Sequence, residues 1–418
     1  MDTSAVSTAL PTIVNALHGK EFVWVGSSYT LAGTAFLPLS GHLANIFGRR
    51  PVLIIALLLF AFGSVLSGGA QTMAMLIGGR TEDTTVILPG KDETDRLDVR
   101  PFASPMSSYG YECSELPTLP WHSGNLLISG GSTAALLGLT WGGVQYEWSS
   151  ANVLVPLILG LFVIAGFMVY EAAIPAEPTM PWRILNNRTT ISGYMGTAFQ
   201  GLIISAALFY LPVYFQACKS ATPLHSGIDM LPYSFSIAPF AIVAGASASV
   251  LNKYRPQNVI AWCFIVVGMG LQSTLTENSE IRNWVGFQIV AGIGFGLLVR
   301  PHLFLPYSSN DAWGITIGST ILQNQLAHNL PPSFLSELQG VEIVYSAIPQ
   351  IANLTEPLKD DVRRAFAQSL AVLWKVMIAI SGLGLLSSLL MMEMPLQSVL
   401  DDTWGLDGQE RGPETDQA

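Results

Sequence analysis

Segments of about 20 residues without a charge are what a chain needs to cross a bilayer as helices, and this sequence supplies them repeatedly. Eight runs hold no Asp, Glu, Lys or Arg: 22–47, 51–78, 124–144, 152–170, 189–215, 230–251, 259–275 and 283–299. A ninth, 365–392, is broken only by Lys375, which snorkels to an interface or faces other helices. Two shorter apolar stretches, 1–17 and 312–327, are expected to be parts of spans. A soluble domain carries roughly 25% charged residues; here only 11% of 418 residues are charged, half are hydrophobic, and the mean hydropathy is +0.44. Too few charges remain to cover a soluble surface, so the chain is expected to be an all-α polytopic membrane protein. The net charge of −10 opposes a nucleic-acid partner, which needs a basic face. Cys113, Cys218 and Cys263 match no zinc or disulfide spacing.

Basic residues set the expected topology. Arg49 and Arg50, Arg183 and Arg188, Lys253 and Arg255, and Arg300 occupy alternate connections. The intervening connections hold only Lys219, only Arg282, or, at 145–151, no basic residue. The richer set is assigned to the cytoplasm, together with the acidic tail 393–418, read as disordered. The connection 328–364 then lies outside, with room for a short surface helix. Its sequon Asn353-Leu354-Thr355 is the candidate glycosylation site, whereas Asn187-Arg188-Thr189 falls on the cytoplasmic side. Asp2 follows Met1 with no basic region, so no cleavable signal peptide is expected, and the start reads as the middle of a helix. The long polar segment 81–120 lacks a helical apolar stripe and reads as loop or disorder.

Residues 41–53 read G-H-L-A-N-I-F-G-R-R-P-V-L. Gly41 and Gly48 allow a tight turn between two spans, and Arg49 and Arg50 anchor it in anionic lipid or against a partner helix. This stretch resembles the signature G-x-L-[AS]-D-x-x-G-[RK]-[RK] of the major facilitator superfamily. Asn45 stands where that signature has Asp, which removes a charged latch. The stretch from Asp2 to Pro11 resembles the first-helix motif of the 14-span drug:proton antiporters, departing at Ser4 and Ala5. Trp24 to Leu31, Leu211-Pro212-Val213-Tyr214-Phe215-Gln216 and Gln323-Asn324-Gln325-Leu326 are similar to the same branch, and nearest to its fungal multidrug and toxin efflux pumps.

The resemblance implies a two-bundle helical fold that exports small amphipathic organic compounds against protons. Asp2 in the first helix and Arg80 in the fourth are the implied proton-coupling residues, although Asp2 could equally be a solvated terminal side chain. The implied partners are the organic substrate, protons and the lipid bilayer, with the chain a monomer in the plasma membrane. Gln200, Tyr210, Tyr214 and Gln216, on or near one span, are candidates for the substrate cavity, with interface anchoring the other reading for the tyrosines. Gly292 and Gly296 read as a helix-packing pair. No nucleophile–base pair, phosphate loop or metal cluster is visible, so neither an enzyme nor a cofactor is expected.

Two departures matter. After Arg80 the family's glycine-rich fourth helix is replaced by Thr81-Glu82-Asp83-Thr84, and the fifth-helix signature and sixth helix are absent. Part of a thirteenth helix before Trp313 also looks lost. The expected division is a partial first bundle at 1–80, the polar segment 81–120, two linker spans at 121–188, a nearly whole second bundle at 189–392, and the tail 393–418. Three missing helices is an odd number, which sets the Arg pattern against continuous threading. The alternative reading is therefore a truncated, transport-incompetent member of the same family.

Overall fold

The computed structural model describes residues 2–17, 24–26, 28, 32, 49–82, 120–173, 188–251, 254–298, 307–336 and 343–392. Fourteen helices make up this part. The first five are α1 (Asp2–Leu17), α2 (Arg49–Gly68), α3 (Met73–Glu82), α4 (Pro120–Trp141) and α5 (Ala151–Ala173). Next come α6 (Arg188–Lys219), α7 (Pro223–Asp229), α8 (Leu231–Leu251), α9 (Arg255–Gln272) and α10 (Ile281–Leu297). The series ends with α11 (Tyr307–Asn329), α12 (Pro332–Leu335), α13 (Ile343–Ile351) and α14 (Leu358–Leu389). Five stretches among the described residues are long and apolar enough to cross a membrane: Pro51–Gly68, Ala151–Tyr170, Arg188–Lys219, Pro223–Ala248 and Leu358–Leu389. The protein is an integral membrane protein.

The helices α6, α8, α9, α10, α11 and α14 form one bundle with α6 at its centre. Most of the apolar window of α6, 78%, is buried, against 17% in each of α2, α5 and the stretch containing α8. An apolar helix wrapped by others needs no polar face; the helices at the edge expose residues such as Ile54, Phe62, Phe162 and Ile242, as lipid contact demands. Neighbouring helices run antiparallel. At one end, Thr189 and Ser192 of α6 bond to Met392 and Ser387 at the end of α14, and Arg255 of α9 donates to Leu389 O at 3.1 Å. At the other, Tyr214 donates to Thr276 O at 2.9 Å and Arg363 Nε to Cys218 O at 2.8 Å. Gly292 and Gly296 face α8, where an added methyl would meet Tyr233 O at 2.9 Å or Ile237 O at 2.5 Å. The pair is a contact seam between α8 and α10.

Four expectations change. The run 51–78 is two helices, because Gly68 and Gly69 end α2 and the Thr72 hydroxyl accepts from Met75 N at 3.3 Å to start α3. The stretch 312–327 grows into the 23 residues of α11, about 34 Å of helix and enough to span; its first turns are polar, so hydropathy alone missed them. The last span starts at Leu358, two turns before its apolar window, with Asp360 and Asp361 in the first turn where the helix dipole favours them. Finally, the helix within 328–364 does not lie on the surface. Val344, Tyr345, Ala347, Ile348 and Ile351 of α13 are buried in the core against α1, α11 and α14.

The turn Gly41-Asn45-Gly48 lies outside the described residues, as do most of the polar segment (83–119) and the tail 393–418. Arg49 and Arg50 form the first turn of α2, and Asp2 begins α1.

Candidate functional site: the seam between the first helices and the second bundle

The seam begins with a proline. Pro212 sits inside α6 and has no N–H, so the carbonyl four residues earlier, on Leu208, loses its helical donor. Ser7 of α1 fills that vacancy, with its hydroxyl donating to Leu208 O at 3.2 Å. One turn further along α6, Gln216 Nε2 donates to Thr8 O at 2.9 Å and to the Ser226 hydroxyl of α7 at 3.0 Å. A buried polar group in a membrane protein must find a partner or cost several kcal/mol, on the order of the loss of a hydrogen bond in hydrocarbon. Here α1 and α6 satisfy each other, while Leu10 and Val14 pack into the shared core.

Tyr210 lies on the neighbouring face of α6. Its hydroxyl donates to Ile315 O of α11 at 2.5 Å, and its ring occupies the space above Gly318, where a methyl would sit 2.2 Å from the ring. Arg80 completes the seam. It is 4% exposed, and its Nε donates to Val25 O at 2.8 Å. The next residue, Gly26, abuts Phe209 of α6 and Ile315 of α11. A buried guanidinium on α3 is thus one residue removed from the contact with the second bundle.

The four candidate cavity residues are not brought together. Tyr210 and Gln216 are pins of the seam, and Tyr214 ties α6 to the turn after α9. Gln200 borders a cavity of about 20 Å³ between α6, α9 and α14, inside the second bundle, together with Asn258 and Trp262. That volume suits one water molecule, and Gln200 Nε2, on a side chain 1% exposed, has no partner among the described residues. Asn353 is exposed just beyond α13.

Sequence reasoning singled out Gln323 and Asn324 only as a resemblance; the structure gives each a task. Gln323 Oε1 accepts from Ile343 N at 2.9 Å and so caps α13. Asn324 Nδ2 donates to Gly142 O at 3.2 Å, beside a Thr320 bond to Leu139 O at 2.9 Å, docking the α4–α5 turn. Gly143 there has a φ of +71°, and a side chain would strike Asn324 Oδ1. The roles of Ser7 and Thr8 were missed; the signal was Pro212 inside a span, which always leaves a carbonyl to be filled.

The fold is shared with a crystallised bacterial homologue of the human lysosomal transporter Spinster in an inward-facing, unoccupied conformation. The TM-score is 0.54 at 13% identity, covering 93% of this chain and 94% of that one. Among sequence relatives, the MFS-type transporter pydD of Acremonium sp is 31% identical over 502 aligned positions, spanning 99% of this chain and 86% of the relative. The MFS-type efflux pump LUC4 of Fusarium sp is 28% identical, spanning 99% and 88%. The profile described as Major Facilitator Superfamily matches residues 1–81. An alignment of 502 positions exceeds the 418 residues present, so the relative carries internal segments that this chain lacks. With its helical bundle, its seam and this relative, the chain belongs to the major facilitator superfamily of membrane transporters.

Proposed function

We propose that the chain moves small amphipathic organic compounds out of the cell in exchange for protons, by rocking of the first helices against the second bundle. The observation that carries this reading is the seam itself. The contacts of α1 with α6 are a few hydrogen bonds, from Ser7 to Leu208 O and from Gln216 to Thr8 O, and such bonds can be exchanged as the two parts move. Arg80 is the proposed proton-coupling cation, held at the seam by Val25 O, and Asp2 at the start of α1 is its proposed carboxylate counterpart. Gly41, Asn45, Gly48, Arg49 and Arg50 would form the cytoplasmic turn that limits the rocking. Relatives named efflux pumps support the outward direction. The proposed setting is the plasma membrane, with the carboxyl terminus in the cytoplasm and the chain acting as a monomer.

A second reading, a transport-incompetent chain, is favoured by one observation. Helix α3 has 10 residues, about 15 Å, half of what a span needs, and the family profile stops matching at residue 81. The proposed units 1–80, 81–120, 121–188, 189–392 and 393–418 then describe a carrier with half of its first bundle.

One experiment separates the two. This chain and a version with the relative's additional helices restored after Arg80 are expressed in a pump-deficient host, and proton-dependent export of an amphipathic dye is measured. Export by this chain, lost in Arg80→Gln, supports the first reading. Export by the restored version alone supports the second.

A further inference from the structure

A vestibule of about 370 Å³ opens where the carboxyl end of α6 meets α7 and the start of α10, away from the seam and from the cavity at Gln200. Its size lies within the range of small-molecule sites, roughly 300–1,000 Å³. One wall is apolar. The Trp284 ring is held edge-on to Phe215, with centroids 4.9 Å apart, and Ile281, 70% exposed, forms the lip. The opposite wall is made of donors. Lys219 Nζ donates to Glu277 O at 2.8 Å and Ser279 O at 2.6 Å. An ammonium has three protons, and no third acceptor for Lys219 is present among the described residues. Glu277 gives Lys219 only its backbone carbonyl; its carboxylate pairs with Arg364 at 3.7 Å. The Thr222 hydroxyl accepts from His225 N at 3.3 Å, which leaves its own proton to donate. Asp229, one turn along α7 from His225, supplies an acceptor on the same rim.

The wall is also strained. Ser220 has a φ of 53°, a left-handed conformation that a residue with a Cβ adopts at a cost of about 1–2 kcal/mol. Such outliers concentrate where a chain holds groups for a ligand. Here the conformation turns the chain between Lys219 and Thr222, the two donors of the polar wall.

We infer that this vestibule is a binding site for amphipathic hydroxy acids: a flat apolar body against Trp284 and Ile281, a carboxylate on Lys219 and Thr222, and a hydroxyl donating to Asp229. A charge-assisted bond from an ammonium whose other protons are already fixed favours a carboxylate over an ester. The assignment does not depend on export, because it is read by binding alone.

The test uses the full chain in phosphatidylcholine nanodiscs, titrated with fluorescent 6-hydroxy-2-naphthoate, its methyl ester and 2-naphthoate. The acid is expected to bind at least about tenfold more tightly than the ester, a difference of about 1.4 kcal/mol, and more tightly than 2-naphthoate. Lys219→Gln should bring the acid down to the ester. Because Lys219 holds two carbonyls, that variant is paired with Ile281→Asp at the exposed lip, which should weaken the acid and leave the ester unchanged without touching the core. Equal binding of acid and ester, or unchanged acid binding in folded Lys219→Gln and Ile281→Asp, overturns the assignment. So does loss of acid binding in nanodiscs that contain phosphatidylserine, which would give the site to an anionic lipid headgroup instead.

Discussion

The bond from Ser7 to Leu208 O exists because Pro212 leaves that carbonyl without a helical donor. A double-mutant cycle isolates this dependence. In the presence of Pro212, Ser7→Ala should destabilise the purified protein by about 0.5–1.5 kcal/mol, the usual worth of a buried hydrogen bond. Once Pro212→Ala has returned an N–H to α6, the same change should cost close to nothing. Thermal unfolding in detergent reads both, and an equal Ser7→Ala effect on the two backgrounds would refute the account. Residues of this kind are half legible in a sequence. Pro212 announces a vacant carbonyl, but nothing in the chain says which distant hydroxyl fills it. Likewise Gln200, Tyr210, Tyr214 and Gln216 were rightly noticed as polar groups in an apolar setting. The assumption that they share one cavity failed because each helical turn faces a different neighbour: α11 for Tyr210, α1 and α7 for Gln216, α14 and α9 around Gln200.

Helix α13 shows the same limit for an element. Its nine residues are apolar enough to be noticed and too short to span, so a place on the surface was the natural expectation. The structure buries them because Gln323 of α11 accepts the first two N–H groups of the helix, at 2.9 and 3.4 Å, and the helix then drops its apolar face between α1 and α14. Replacing Gln323 with Leu removes that acceptor and leaves the two N–H groups to find water. Amide exchange across 343–351 should quicken markedly while exchange in α6 stays slow; uniform change across both helices would argue against a local cap. By contrast, the long helices were legible nearly to the residue, because a bilayer forces apolarity on every side of an outer helix. Their ends were less so: α11 and α14 begin with polar turns that carry dipole-favoured acids or lie beyond the hydrocarbon.

For the whole molecule, the predictions concern threading. Alkaline carbonate should leave the protein in the membrane pellet, and release without detergent would contradict the spans. If the chain enters the secretory pathway, the exposed Asn353 is expected to carry glycan and Asn187 none. A mass shift lost in Asn187→Gln and kept in Asn353→Gln would invert the topology read from the arginines. The two-part division was legible in the motifs, and the shortened first part in the abrupt end of resemblance after Arg80. How the chain passes from α3 to α4 follows from neither, because an odd deficit of helices sets the loop charges against continuous threading.

The Pro212 vacancy also has a consequence for descent. A position that needs a hydroxyl only while a proline stands elsewhere is not free to drift alone. Lineages that exchange Pro212 for a residue with an N–H should be released from selection at position 7. Lineages that keep the proline should alternate there among Ser, Thr and other short donors. Two sites separated by 201 residues would then change hands together, and their joint substitution record would trace the seam without any structure at all.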